Sequence, residues 1–167
     1  MVDPQTMRDT LRFWASSVSV VTTASAERRA GMTVSAFNSL SLEPPMILVC
    51  LYKESSTAQL LQETGIFAVS FLGEQHASVS DRFAGRIPLA DKEDRFLGVS
   101  TLTAVTGAPI LAEALAWLDC RVHAQHDGST HWIVIGEVLA TGRGSSTAPL
   151  VYYDRQYRTL ADLDGRL

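Results

Sequence analysis

The stretch Gly31–Pro45, GMTVSAFNSLSLEPP, is small and hydroxylated where a strand is usually bulky. Thr33, Ser35, Ser39 and Ser41 recur mostly at even spacing, and a strand shows every second side chain to the same face, so one edge presents hydroxyls and accessible backbone. Such an edge has two readings: a Ser/Thr-rich edge strand that meets water, or a rail for a flat polar ring and a phosphate. Ser55, Ser56 and Thr57 stand where the next helix begins, in KESSTAQLLQETG. Free N–H groups and the positive dipole end suit an anion there, and plain capping is the competing reading. His131 opens an apolar strand directly after the turn sequence DGST. An imidazole titrates near neutrality and can donate, accept or carry charge at a pocket mouth, or simply meet water. Tyr152, Tyr153 and Tyr157, with Arg155 and Arg158, offer core or dimer packing, or an aromatic and guanidinium wall beside a stacked ring.

Several other chemistries are excluded by what the chain lacks. It contains no GxSxG elbow, no HExxH, no GxxxxGK[ST] phosphate loop and no GxGxxG after a strand. His123 and His126 lie three residues apart near a strand end, do not share a face, and read as surface residues; no metal site is expected. His76 begins a helix and reads as solvated. Cys50 and Cys120 sit in the apolar runs MILVCLY and LAWLDCRV and read as reduced, buried thiols. With 14 basic and 18 acidic residues and a formal net charge of -4, the chain is a poor partner for nucleic acid. No apolar run is long enough to span a bilayer and MVDPQTMRDT lacks a signal-peptide core, so no membrane partner and a cytoplasmic location are expected. The length of 167 residues fits a single domain, residues 1–167.

The elements that must position these residues follow from periodicity. Pro4 with Met7, Leu11 and Trp14 at helical spacing predicts a short N-terminal helix lying against the core. The β-branched run from Val18 to Thr23, the ERRAG turn and the Gly31–Pro45 stretch predict a hairpin whose second strand stops at Pro44 and Pro45. Met46–Tyr52 is apolar on both faces and is expected to be central. A helix from Ser55 or Ser56 ends at Gly65, Ile66–Leu72 is a strand, and EQHASVSDRFAG is a short helix ended by Gly85. A surface loop IPLADKEDR precedes strands at Val99–Val105, Ala114–Gln125 and His131–Gly142, and one final short strand lies in Pro149–Leu160. Strands outnumber helices and come in hairpin-linked groups, which predicts a mainly β fold: an antiparallel barrel with short helices attached.

The order GMTVSAFNSLSLEPP, SST at a helix start, FAVSFL, DRFAG, LAWLDCRV, a His-led IVIGEV strand and PLVYYDRQYRTL resembles the flavin reductase family, the short-chain reductase components of two-component flavin-dependent monooxygenases. The resemblance runs from about Leu11 to Leu160 and implies a homodimer on an FMN-binding split barrel. It implies that NADH or NADPH reduces FMN or FAD and that the reduced flavin is released to a separate oxygenase. By position, backbone groups at Met32, Thr33, Ser35 and Ala36 would read the polar edge of the isoalloxazine, with Cys50, Leu51 and Tyr52 continuing that wall. Ser56 and Thr57 match the phosphate-binding helix start, and Arg82 with Phe83 the flavin-contacting helix end. Tyr152, Tyr153, Asp154 and Arg155 correspond to the nicotinamide side together with His131, the expected catalytic residue. Two departures stand out: Asp127-Gly128-Ser129-Thr130-His131 replaces the Gly-Asp-His of many relatives, and Asp94-Arg95-Phe96 replaces Asp-Lys-Phe, where Arg can still pair a phosphate. The alternative class is a flavin-binding barrel that carries electrons or binds ligand without reductase turnover.

Overall fold

The structure is a computed structural model that describes residues 1–89 and 94–161. Its helices are α1 (Pro4–Leu11), α2 (Ser56–Thr64) and α3 (Ala77–Phe83), the last led in by a 3₁₀ turn over Glu74–His76. The strands are β1 (Ser16–Ser17), β2 (Ser19–Ala24), β3 (Arg29–Val34), β4 (Phe37–Leu42), β5 (Pro45–Tyr52), β6 (Ile66–Phe71), β7 (Thr101–Leu102), β8 (Ile110–Leu111), β9 (Ala116–Gly128), β10 (His131–Arg143), β11 (Val151–Tyr153) and β12 (Gln156–Arg158).

Seven strands form one antiparallel sheet in the order β3-β2-β6-β9-β10-β5-β4. The hydroxylated stretch read as one strand is therefore two, β3 and β4, and they occupy opposite margins of the sheet. Only Ser35 and Ala36 lie between them, and a residue advances the chain by at most about 3.6 Å, so the sheet must curl until its margins nearly meet. A backbone hydrogen bond from Cys50 N–H to the Ala36 carbonyl, at 3.1 Å, fastens the crossing. This is the split-barrel arrangement that the resemblance implies, its two margins joined at Ser35–Ala36.

The inside of the curl is filled by Val21, Val34, Val49, Leu51, Phe67 and Val134, all buried, closed at one end by Ala58 and Leu61 of α2. Fully burying a side chain of this size contributes roughly 1.5–3 kcal/mol, so this cluster fixes which face of each strand points inward. A second buried cluster outside the curl, including Val20, Leu72, Phe83, Phe96 and Leu111, seats α3 against β2 and β3. Ser55 caps α2 through its Oγ, which accepts from Ala58 N–H at 3.1 Å, and Gly65 ends it in a left-handed conformation, φ 66°.

Several expectations are corrected. Helix α1 forms, capped by Asp3, but it buries no residue and does not lie on the core. It is held by the β11–β12 hairpin tip: Arg12 pairs with Asp154, Arg155 with Asp9 at 2.7 Å, and Asp154 N–H donates to the Arg12 carbonyl at 2.8 Å. The final strand is that hairpin, turning through Asp154 and Arg155, both left-handed at φ 50° and 61°, as a two-residue hairpin turn with matching twist requires. Within Val99–Val105 only Thr101–Leu102 is strand, because the flanking residues have no ladder partner. Strand β5 is not buried on both faces: Ile47, Val49 and Leu51 point inward, while Met46, Leu48 and Cys50 are half-buried on the outside. His76 is buried, its Nδ1 accepting from Gly73 N–H at 3.1 Å, because the 3₁₀ turn folds it back under its own start. Cys50 and Cys120 are free thiols, and only Cys120 is fully buried; burial, helped by neighbouring Asp119, pushes its pKa up to about 12. The 87–95 loop lies partly outside the described residues.

Candidate functional site

Three separate clefts lie along β3 and the Ser35–Ala36 crossing, around α3, which packs on the outward face of β3. At the first, of about 260 Å³, Gly31 and the exposed Ser56 at the start of α2 face Arg29 and Arg95. Arg95 is anchored by donating to the Phe83 carbonyl at 2.7 Å and to the Gly31 carbonyl at 3.3 Å. Arg29 pairs with Asp94 and lies 4.5 Å above the Phe96 ring. Helix-start N–H groups beside two guanidiniums are the components of a phosphate site. Gly31 is required for reasons of space: a Cβ there would stand 2.7 Å from the Phe83 ring.

The second cleft, about 170 Å³, lies between β3, α3 and the β11–β12 hairpin. The Thr33 hydroxyl donates to the Ser80 carbonyl at 2.6 Å, so this hydroxyl holds α3 in place and is not free to meet a ligand. The Tyr157 phenol donates to Asp81 at 2.7 Å, and Arg86 bonds the Tyr152 phenol at 3.2 Å and Asp81 at 3.0 Å. The bond to Tyr152 raises the Arg86 pKa still further, so it carries a fixed positive charge at the rim. The third cleft is the largest, about 650 Å³, and its floor is Ser35, Ala36 and Ser16. Tyr152 and Arg155 form one wall; Arg8, Arg12 and Trp14, from α1 and the segment after it, form the other.

The expected residues are thus partly assembled. Ser56 lines the first cleft, Thr33 the second, and Ser35, Ala36, Tyr152 and Arg155 the third, whereas Met32 lines none of them. The Met32 side chain turns to the opposite face of β3, where the Ser55 hydroxyl lies 3.3 Å from its sulfur. Leu51, Thr57 and Phe83 are fully buried side chains, so any contact they make with a ligand runs through backbone. Arg82 is tied to the Leu97 carbonyl. Asp154 is engaged by Arg12 and Tyr153 packs on Phe13 at 6.5 Å. His131 sits apart: it faces Tyr52 across β10 and β5, ring centroids 5.6 Å apart, with Thr130 Oγ1 at 2.9 Å from its Nδ1. It lines none of the three clefts. His123 and His126 are exposed, as expected, and no metal-binding cluster exists among the described residues. No helix there is long and apolar enough to cross a membrane.

Sequence reasoning missed Arg8, Arg12, Trp14 and Arg86 as lining residues. The Met7, Leu11 and Trp14 spacing was visible, but helical periodicity does not say whether an apolar face meets a core or a cleft.

Comparison with known proteins places this geometry among catalysts of one kind. Residues 11–161 match the family described as flavin reductase like domain. The reductase subunit HsaB of a flavin-dependent monooxygenase from Rhodococcus jostii is 34% identical over 93% of this chain and 77% of its own length. The FMN reductase (NADH) RutF of Ancylobacter novellus is 36% identical over 92% of this chain and 83% of its own. Among solved structures, the NADH:FAD oxidoreductase SgcE6 of Streptomyces globisporus superposes with a TM-score of 0.87 at 30% identity, covering 97% of this chain and 98% of that one. Nitrilotriacetate monooxygenase component B from Mycobacterium thermoresistibile gives 0.86 at 32% identity, covering 94% and 86%.

Proposed function

The chain belongs to the flavin reductase like family, and from that premise we propose that it is the reductase of a two-component monooxygenase. It uses NADH or NADPH to reduce FMN or FAD and supplies the reduced flavin to a separate oxygenase. The observation that carries this reading is the pair of clefts at the two ends of β3, one with phosphate-binding components and the other an aromatic, cationic pocket.

The residues present fit a flavin. Ser56 and the start of α2, with Arg29 and Arg95, hold its phosphate, and the backbone of Met32–Ala36 follows its ring edge. When bound, the flavin supplies the hydride acceptor and the nicotinamide the hydride. What the chain contributes is placement: Ser35 and Ala36 let two flat rings approach the main chain, and exposed N–H groups at the crossing oppose the negative charge that develops on reduction. Cys50 and Tyr52 continue the wall on β5. Tyr152, Tyr153, Asp154 and Arg155 serve the nicotinamide side.

We place His131 in that site through a homodimer. It lies outside the clefts of its own chain, beside Tyr52, which is 45% exposed. The outward face of β5 carries half-buried Met46 and Leu48, with Leu40, 51% exposed, in the bulge of neighbouring β4, an apolar patch of the kind that marks an interface. Replacing His131 with Ala is expected to raise the KM for pyridine nucleotide or slow hydride transfer by about tenfold; steady-state kinetics that match the unaltered protein would remove it from the site. The reductase reading itself is checked by mixing purified protein with NADH or NADPH and excess FMN or FAD and following nicotinamide absorbance. Rapid consumption is expected. No consumption with any combination leaves a flavin-binding barrel without turnover.

A further inference from the structure

We propose that the pocket between α1 and the β11–β12 hairpin seats the diphosphate of the pyridine nucleotide, with Arg8 as its principal contact; the proposal rests on the reductase reading. The pocket, about 650 Å³, falls within the range of small-molecule sites and is far roomier than one nicotinamide ring needs. Three guanidiniums line it. Two are already engaged, Arg12 with Asp154 and Arg155 with Asp9. Arg8 makes no ion pair among the described residues, so it contributes the unneutralised charge that a dianionic linker requires. It stands in the last turn of α1, where the helix dipole favours a cation.

The flanking groups match the rest of the ligand. Trp14, 75% exposed, and Tyr152 offer flat faces on either side of the floor. Ser35 of that floor also lines the neighbouring cleft at Thr33, so a dinucleotide held at Arg8 delivers its nicotinamide to a ring seated on the same backbone. The lack of any buried residue in α1 acquires a purpose here. The helix does not support the core; it is a wall, fixed to the hairpin tip by two ion pairs and one backbone hydrogen bond.

The test compares two hydride donors on the full chain: NADH, and benzyl dihydronicotinamide, which carries the reacting ring but no phosphate. In Arg8→Ala the specificity constant for NADH relative to the phosphate-free donor should fall about tenfold, the loss appearing in the KM for NADH, as expected for one charge-assisted contact. Arg8→Lys should recover most of the ratio, because a point charge still attracts the diphosphate. A ratio unchanged in Arg8→Ala, or an equal proportional loss with both donors, overturns the proposal. Failure of the unaltered protein to oxidise either donor is a different result, which brings down the reductase reading and this proposal with it.

Discussion

Ser56→Asp should raise the KM for FMN about a hundredfold while leaving the melting temperature the same or slightly higher. The two halves of this expectation come from one location. Ser56 is the exposed first residue of α2, and the cap is made by Ser55, whose Oγ accepts from Ala58 N–H and remains in place. No acidic residue stands in the first turn of α2, so a carboxylate there meets the helix dipole favourably, by about 0.3–1 kcal/mol. The same carboxylate faces the cleft with Arg29 and Arg95, where it competes for both guanidiniums and repels an incoming phosphate. Two like charges about 4 Å apart near a protein surface interact by roughly 4 kcal/mol, more than enough for two decades of affinity after screening. If α2 were capped and nothing more, the substitution would be silent in kinetics. A KM changed by less than about twofold, with thermal stability intact, would move the phosphate site elsewhere.

Phe67→Ala should lower the unfolding free energy by about 3–5 kcal/mol, the cost of emptying a large buried site. Phe67 is fully buried at the centre of the curl, on β6 opposite Cys120 of β9. Its ring also explains why position 136 carries no side chain: a Cβ on Gly136 would stand 2.4 Å from Phe67 Cζ and 3.3 Å from Cys120 Cβ. Gly136→Ala alone should therefore cost about 1–3 kcal/mol by overpacking. Adding Phe67→Leu removes the ring that the new methyl meets, so the double variant should be more stable than the sum of the two single costs predicts. Urea titrations at one fixed protein concentration measure all four corners of this cycle. Strict additivity would mean that the two residues do not press on each other.

Much of this architecture was legible in the sequence because the strong signals are local. Gly65 ending a helix, Pro4 and Ser55 starting them, and DGST turning β9 into β10 each act through the backbone of a few residues. The reading of Gly31–Pro45 as one strand failed for a non-local reason. Nothing in the composition of Ser35 and Ala36 says that the residues before them pair with β2 and those after them with β5. His76 was misread because burial of an imidazole depends on the packing around a 3₁₀ turn, which leaves no periodic trace. The candidate site is legible in part: Ser56, Ser35, Tyr152 and Arg155 line clefts, and Trp14, which the helical spacing puts on the core, lines one too, beside Arg8 and Arg12, which carry no local signal. An apolar stripe on a short helix is the same whether it meets core, cleft or another subunit.

The Ser35–Ala36 crossing also constrains how this fold can vary. It joins the two free margins of the sheet, so its length sets the girth of the curl much as a clasp sets the size of a bracelet. One inserted residue there would slacken the closure and shift β4 by one step along β5, turning Phe37 and its alternate neighbours to the opposite face. An insertion at Ala26, in the exposed turn between β2 and β3, would merely lengthen a loop. The hairpin tips of this fold can therefore lengthen freely, while the crossing that closes the sheet is tightly bound in length.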